Sequence, residues 1–195
     1  MSSIEFYDTH AADFFDRTAN LSDGLDEIQA RFLAHVPDGG VVLDAGCGSG
    51  RDALAFLKAG YRVSAFDGSA ELAKLASAHT GLVVQHLRFA EMAWESAFDG
   101  IWACATLLHL PLTELPDAFA RIAAALKPGG VSYASFKLGD GERLENGRHF
   151  TDLNPDTLPA LVVASGLVVR EVWTGPDSRP DAKWDWVSVI AVKRG

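Results

Sequence analysis

Cysteine and methionine are scarce in this 195-residue chain, with two of each. Cys47 and Cys104 are too few for a disulfide framework and lack metal-ligand spacing, so no metal site is expected. A reducing cytoplasm suits such cysteines. No run of about 18 apolar residues occurs, which argues against a membrane-spanning helix. The opening Met1-Ser2-Ser3-Ile4-Glu5-Phe6 has no basic stretch leading into an apolar one, so no secretory signal is expected. Internal repeats and low-complexity segments are also missing.

Positive charge is in deficit. Lys and Arg number 17 against 26 Asp and Glu, a net charge of −9. Residues 1–136 carry most of the imbalance, 9 against 17, while residues 137–195 hold 8 against 9. An acidic surface repels phosphate backbones, so no long nucleic acid is expected as a partner. Solubility alone would also explain the acidity. Apolar residues make up 48% of the chain, enough at this length for one domain with a full core.

Short apolar runs alternate with segments of helical period. Phe6 to Thr18 and Leu25 to Val36 read as helices, and Val41-Val42-Leu43 as a strand with no polar face. Arg51 to Ala59 reads as a helix and Tyr61 to Phe66 as the second strand. Ser69 stands where a helix cap belongs. Leu82 to Leu87 and Phe98 to Ala105 follow as strands, then a helix from Leu112 to Leu126 and a strand from Val131 to Phe136. Lys137 to His149 reads as a polar loop, Asn154 to Ser165 as a helix, and Leu167 to Trp173 with Trp186 to Val192 as a closing strand pair. Strand–helix units in series predict an α/β fold: a doubly wound, mostly parallel seven-stranded sheet with an antiparallel C-terminal hairpin. Residues 1–195 form one domain on this reading. Residues 1–37 are a helical lid, 41–136 the cofactor-binding core, and 137–195 the substrate-side loops and hairpin. Ligands in such sheets sit beyond the carboxyl ends of the strands.

That is where Asp44-Ala45-Gly46-Cys47-Gly48-Ser49-Gly50 falls. Glycine admits a ligand against bare backbone, and the strand–turn–helix context is the one a cofactor cradle needs. The third glycine comes two residues after the second, whereas a dinucleotide fingerprint places it three after.

The stretch from Val42 to Gly50 resembles the first motif of class I S-adenosylmethionine-dependent methyltransferases. The likeness continues through Phe66-Asp67-Gly68-Ser69, Phe98-Asp99-Gly100-Ile101-Trp102 with Leu107-Leu108-His109, and Leu126-Lys127-Pro128-Gly129-Gly130. It covers most of residues 41–136 in the family's order. The opening Phe6-Tyr7-Asp8 and Ala11 to Phe15 are similar to the small-molecule branch, loosely that of the tellurite-resistance and thiopurine-type enzymes. The resemblance implies a Rossmann-like methyltransferase fold with S-adenosylmethionine as cofactor.

It also implies roles. Gly46, Gly48 and Gly50 would present backbone to the cofactor, with Gly68 and Thr18 alongside. Asp44 would hold the loop or the cofactor's ammonium, or simply cap the turn. Asp67, about 20 residues past the turn, would accept both ribose hydroxyls. Glu91 would take the adenine amino group or be a solvated loop carboxylate, and Met92 would pack on adenine or fill the core. Cys104 would lie beneath the reacting sulfur as an apolar thiol. His109 and His149 are the candidate bases, though pocket histidines are more often merely hydrogen-bonded. Tyr7, Arg143, Arg148 and Arg179 are candidate substrate contacts, and basic residues in the loops of an acidic chain hint at an anionic small molecule.

The function expected is in-line methyl transfer to a small molecule by a monomer or homodimer. In-line transfer needs alignment and exclusion of water, and a base only where the acceptor keeps its proton at neutral pH. The alternatives are a non-catalytic module that binds the same cofactor and a nicotinamide-dependent oxidoreductase, against which the glycine spacing speaks.

Overall fold

The computed structural model describes residues 2–21, 25–177 and 182–195. Its helices are Ser3–Thr9 (α1), Ala11–Thr18 (α2), Leu25–Leu33 (α3), Arg51–Lys58 (α4), Ala70–Thr80 (α5), Leu115–Ala125 (α6) and Thr157–Ala164 (α7). Its strands are Val41–Ala45 (β1), Arg62–Asp67 (β2), Gln85–His86 (β3), Phe98–Ala103 (β4), Leu126–Lys137 (β5), Gly141–Glu145 (β6), Arg148–Asp152 (β7), Leu167–Gly175 (β8) and Trp186–Lys193 (β9). Seven strands form one sheet in the order β3-β2-β1-β4-β5-β9-β8. The first five run parallel; β9 is antiparallel to β5 and to β8. The antiparallel strand is therefore internal, and β8 is the edge.

β1 is apolar because both its faces are covered. On one face, Phe32 of α3 and Phe56 of α4 pack with Trp102, Tyr133 and Ile190. On the other, α6 and α7 bring Phe119, Ile122, Leu158 and Val162 onto Leu43, Ile101 and Phe136. Trp102 stacks on Tyr133 at 4.1 Å between centroids, and its Nε1–H donates to Asp52 Oδ2 at 2.8 Å. Asp52 also accepts from Gln29 Nε2 at 2.9 Å and Arg51 Nε at 2.8 Å. One buried carboxylate thus ties α3, α4 and β4 together.

Three departures from the sequence expectation have local causes. The helix expected from Phe6 to Thr18 breaks at His10, whose ψ is 21°. There Nδ1 bonds the Phe6 carbonyl at 2.8 Å, a side chain competing for a helical acceptor. The third strand shrinks to Gln85–His86 because α5 side chains take the donors before it: Leu82 N–H goes to Thr80 Oγ1 and Val84 N–H to Ser77 Oγ. Finally, the expected polar loop from Lys137 to His149 is largely a hairpin. β6 and β7 pair antiparallel, with Glu145 opposite Arg148 across Asn146 (φ 51°) and Gly147 (φ 80°). Asn-Gly at a two-residue turn is a strong hairpin signal.

Among the described residues, no helix is long and apolar enough to cross a membrane. Asp52→Ala should destabilise the fold by roughly 3–5 kcal/mol, the range for breaking a buried pair from one side. Urea unfolding checks this; a loss below about 1 kcal/mol would remove Asp52 as the link between the two helices and β4.

Candidate functional site

Beyond the carboxyl ends of β1, β2, β4 and β5 lies a cleft of about 1650 Å³. That exceeds the roughly 300–1,000 Å³ of an ordinary single-ligand pocket. It opens at the point where β2 and β4 leave β1 in opposite directions, the expected switch point.

The glycine turn forms one wall. Gly46 N–H and Cys47 N–H both donate to the Phe66 carbonyl, at 2.9 and 3.0 Å. Gly46 has φ +73°, and a Cβ there would lie 1.9 Å from Thr106 Oγ1. Gly48 has φ +56°, and its Cβ would press on Phe14 at 3.1 Å. Bare backbone is thus required at both positions, and both face the cleft. Gly50 does not. A Cβ there would meet Thr80 and Ala76 of α5, so its smallness serves helix packing.

The carboxylates divide in the same way. Asp67 lines the cleft, with Oδ2 accepting from Gly48 N–H and Oδ1 from Ser69 N–H, both at 2.8 Å. Two such bonds leave acceptor capacity on a carboxylate for two further donors. Burial lifts its carboxyl above the usual range. Asp44 is not part of the lining; its Oδ2 accepts from Ala53 N–H at 2.9 Å and caps α4. Burial, and then Asp52, hold Asp44 well above the ordinary carboxylate range. Of its three sequence readings, the cap is the one this geometry gives.

Glu91 and Met92 also point elsewhere. Glu91 is exposed and closes a 3-10 turn by accepting from Arg88 N–H at 2.8 Å and from the Arg88 guanidinium. Met92 is 2% exposed, within the main core. The cleft is lined here by Leu87, Phe89 and Ala90 instead. Gly68 faces the cleft beneath Ile4, and Thr18 lines it with its hydroxyl donated to the Phe14 carbonyl at 2.7 Å. Cys104 lines it too, and burial pushes its thiol pKa up, so the sulfur stays protonated. The following residue, Ala105, has φ +52° and is held by donating its N–H to Ser135 Oγ at 2.9 Å. Such strain in a non-glycine residue is characteristic of functional sites and leaves no mark in sequence.

Also in the lining, Tyr7, His109 and Arg148 meet. His109 Nδ1 lies 2.8 Å from the His149 carbonyl, which can only accept, so Nδ1 carries the proton. Nε2 is then the acceptor for the Tyr7 hydroxyl at 2.9 Å. Arg148 Nη1 donates to the same hydroxyl at 3.3 Å. Burial, chiefly, lowers His109 to about 4 and raises Tyr7, so both are neutral near pH 7. His149 lines the cleft, but its ring is engaged with Thr151 Oγ1 at 3.1 Å and Glu142 at 3.3 Å; its carbonyl is what orients His109. Arg143 also lines the cleft, with its guanidinium on Asp152 (Nε–Oδ2 2.5 Å) and on Glu145. Its charge is therefore already matched. Arg179 lies outside the described residues. The lining groups that escaped the sequence reading include Thr106 behind Gly46, and Lys137, buried on Asp177 and 3.5 Å from the centre of the Trp186 ring.

The model of a family described as "Methyltransferase domain" matches residues 42–130. The cypemycin N-terminal methyltransferase of Streptomyces sp is 32% identical over 139 residues, 68% of this chain and 57% of that protein. The chain thus spans under two thirds of the length of that curated relative. Among solved structures, the Burkholderia thailandensis 1,6-didemethyltoxoflavin-N1-methyltransferase, with bound 1,6-didemethyltoxoflavin and S-adenosylhomocysteine, has a TM-score of 0.81 at 27% identity. The match covers 98% of this chain and 87% of that one. A TehB-like S-adenosylmethionine-dependent methyltransferase from Corynebacterium glutamicum shares the fold, with a TM-score of 0.71, 21% identity, and 95% and 99% coverage.

Asp67→Ala should weaken S-adenosylhomocysteine binding by roughly 1–3 kcal/mol, because buried donors lose their acceptor. Unchanged affinity in calorimetry would remove Asp67 from the site. A pH effect follows from His109. The unfolded chain protonates it near 6.5 and the folded one near 4, so acid favours the unfolded state. The stability that His109 contributes is complete above about pH 6.5 and is lost as pH falls towards 4. Urea midpoints across that window should fall more steeply for the wild type than for His109→Gln; parallel curves would contradict a buried neutral imidazole. The glycine cradle and the open acceptors of Asp67 fit S-adenosylmethionine: the chain resembles the class I S-adenosylmethionine-dependent methyltransferases in its fold and, over residues 42–130, in its sequence.

Proposed function

We propose that this chain methylates a small molecule held between α1, the β6–β7 hairpin and the ends of β4 and β5. The observation that carries this reading is the shape of the cleft. Bare backbone with the Asp67 carboxylate and the Tyr7–His109 pair both line a single cavity of about 1650 Å³. Its size supports room for a cofactor and a second molecule together.

When bound, S-adenosylmethionine supplies an electrophilic methyl group that the acceptor atom takes in line with the departing sulfur. The chain's own part is to bind, align and exclude water, which can supply roughly 7–11 kcal/mol through orientation. Gly46 and Gly48 leave backbone open, and Asp67 offers oxygens to a pair of hydroxyls. Ile4, Phe14 and Thr18 cover this end, so α1 and α2 serve as the lid. The protonated Cys104 thiol gives the floor no competing nucleophile. His109, neutral and with Nε2 as acceptor, draws a proton through the Tyr7 hydroxyl. The small-molecule relative with bound 1,6-didemethyltoxoflavin supports a substrate of that size. A reducing cytoplasm suits the two free cysteines, Cys47 and Cys104.

The test is incubation with methyl-labelled S-adenosylmethionine and a fractionated pool of small metabolites. The expected outcome is label in a small product that disappears in Tyr7→Phe/His109→Gln. Cofactor binding without any labelled product from any fraction would leave a binding module in place of an enzyme.

A further inference from the structure

Basic side chains around the cleft are matched almost one for one. Arg51 pairs with Asp52, Arg88 with Glu91, Lys137 with Asp177, and Arg143 with Asp152 and Glu145. Lys183 lies 3.9 Å from Glu145. Among the described residues lining the cleft, Arg148 is the exception. It has no carboxylate partner; its one protein hydrogen bond is the 3.3 Å contact from Nη1 to Tyr7, and its buried Nε has no acceptor.

The rings of Phe6, Tyr7 and Phe150 surround this guanidinium at 5.2, 6.0 and 5.1 Å from their centroids. Ring faces attract a cation and fix its plane, but they carry no charge to balance it. An uncompensated half-buried cation with an orphaned N–H is costly unless a ligand meets it. Guanidinium forks onto carboxylates recur in this protein, at Arg51, Arg88 and Arg143.

We propose that the methyl acceptor is a small monocarboxylate whose carboxylate pairs with the terminal Nη1 and Nη2 of Arg148, and whose methylated atom is a proton-bearing nitrogen or oxygen beside Tyr7. This rests on the methyltransferase reading above. One unmatched guanidinium balances one negative charge. A phosphate dianion would leave surplus negative charge in a chain already at −9. Position follows from the hydrogen bonds. Arg148 Nη1 and His109 Nε2 share the Tyr7 hydroxyl, so the anion site and the proton acceptor are adjacent. The acceptor atom is therefore only a few bonds from its own carboxylate. The step balances: the bond from acceptor to methyl forms as the methyl–sulfur bond breaks, and that electron pair stays on sulfur. The acceptor's proton passes to the Tyr7 oxygen while the Tyr7 proton moves to His109 Nε2.

Calorimetry and thermal unfolding on protein saturated with S-adenosylhomocysteine test this. The probes are acetate, benzoate and anthranilate, with anthranilamide as the neutral control and inorganic phosphate as the dianion. At least one carboxylate should bind saturably and raise Tm, and more strongly than anthranilamide or phosphate. Arg148→Met should lose that affinity at least tenfold while its affinity for S-adenosylhomocysteine stays within twofold, which also shows that it has folded. Arg148→Lys should recover only part, since an ammonium lacks the fork. The proposal is overturned if no carboxylate binds the wild-type complex, if phosphate or anthranilamide binds as well as the best carboxylate, or if Arg148→Met binds it equally. Failure of the wild type to bind S-adenosylhomocysteine would instead bring down the cofactor reading beneath it.

Discussion

The carbonyl of Phe66 takes two N–H groups, from Gly46 at 2.9 Å and Cys47 at 3.0 Å, and the site depends on that clasp. It extends the β1–β2 pairing, in which Ala45 stands opposite Phe66, by one step past the end of the strand. The turn is therefore docked on β2, and the residue after Phe66 is Asp67, whose carboxylate receives Gly48 N–H. A slip of one residue in this register would send Asp67 to the opposite face and leave the turn unsupported. Glycine supplies the conformation, but the sheet supplies the position.

Electrostatics around that turn follows from burial. Asp44, Asp52 and Asp67 are all buried near the start of α4, two of them bound to backbone N–H groups at helix or turn starts. Carboxylates are favoured at the N-terminus of a helix, where the backbone donors are unpaired. A phosphate-bearing cofactor would need the same helix end and would meet three carboxylates there. A cofactor with a sulfonium and an ammonium suits this field, which gives a physical reason for the difference from dinucleotide-binding sheets.

How legible this was depended on range. Val41 to Gly50 reads correctly because strand, turn and helix start are local, and Asp67 follows because the second strand ends there. Gly50, Glu91 and Met92 lie in the right segments, but their directions are set by α5, Arg88 and the core, none of which spacing reveals. The β6–β7 hairpin was legible in principle: Asn146-Gly147 marks it, but the charged residues on either side mask the alternation of a strand. The break at His10 rests on one side-chain bond to Phe6, and no periodicity announces it.

Tyr7, His109 and Arg148 were each legible as candidates, but sequence could not show that they meet, for a structural reason. Tyr7 comes from α1, His109 from the turn after β4, and Arg148 from the hairpin, more than a hundred residues from Tyr7. Ser3 Oγ accepts from His149 N–H at 2.9 Å, which fastens the first helix to that hairpin across the cleft. Neither segment belongs to the parallel core, although α1 also reaches the cofactor side, where Ile4 covers Gly68. A fold that keeps its cofactor on the sheet and assembles its acceptor pocket from such additions can change substrate by altering the additions alone. The family resemblance is therefore readable from β1 and β2, whereas the proposed acceptor has to be argued from the charges and hydrogen bonds that Tyr7, His109 and Arg148 leave to one another.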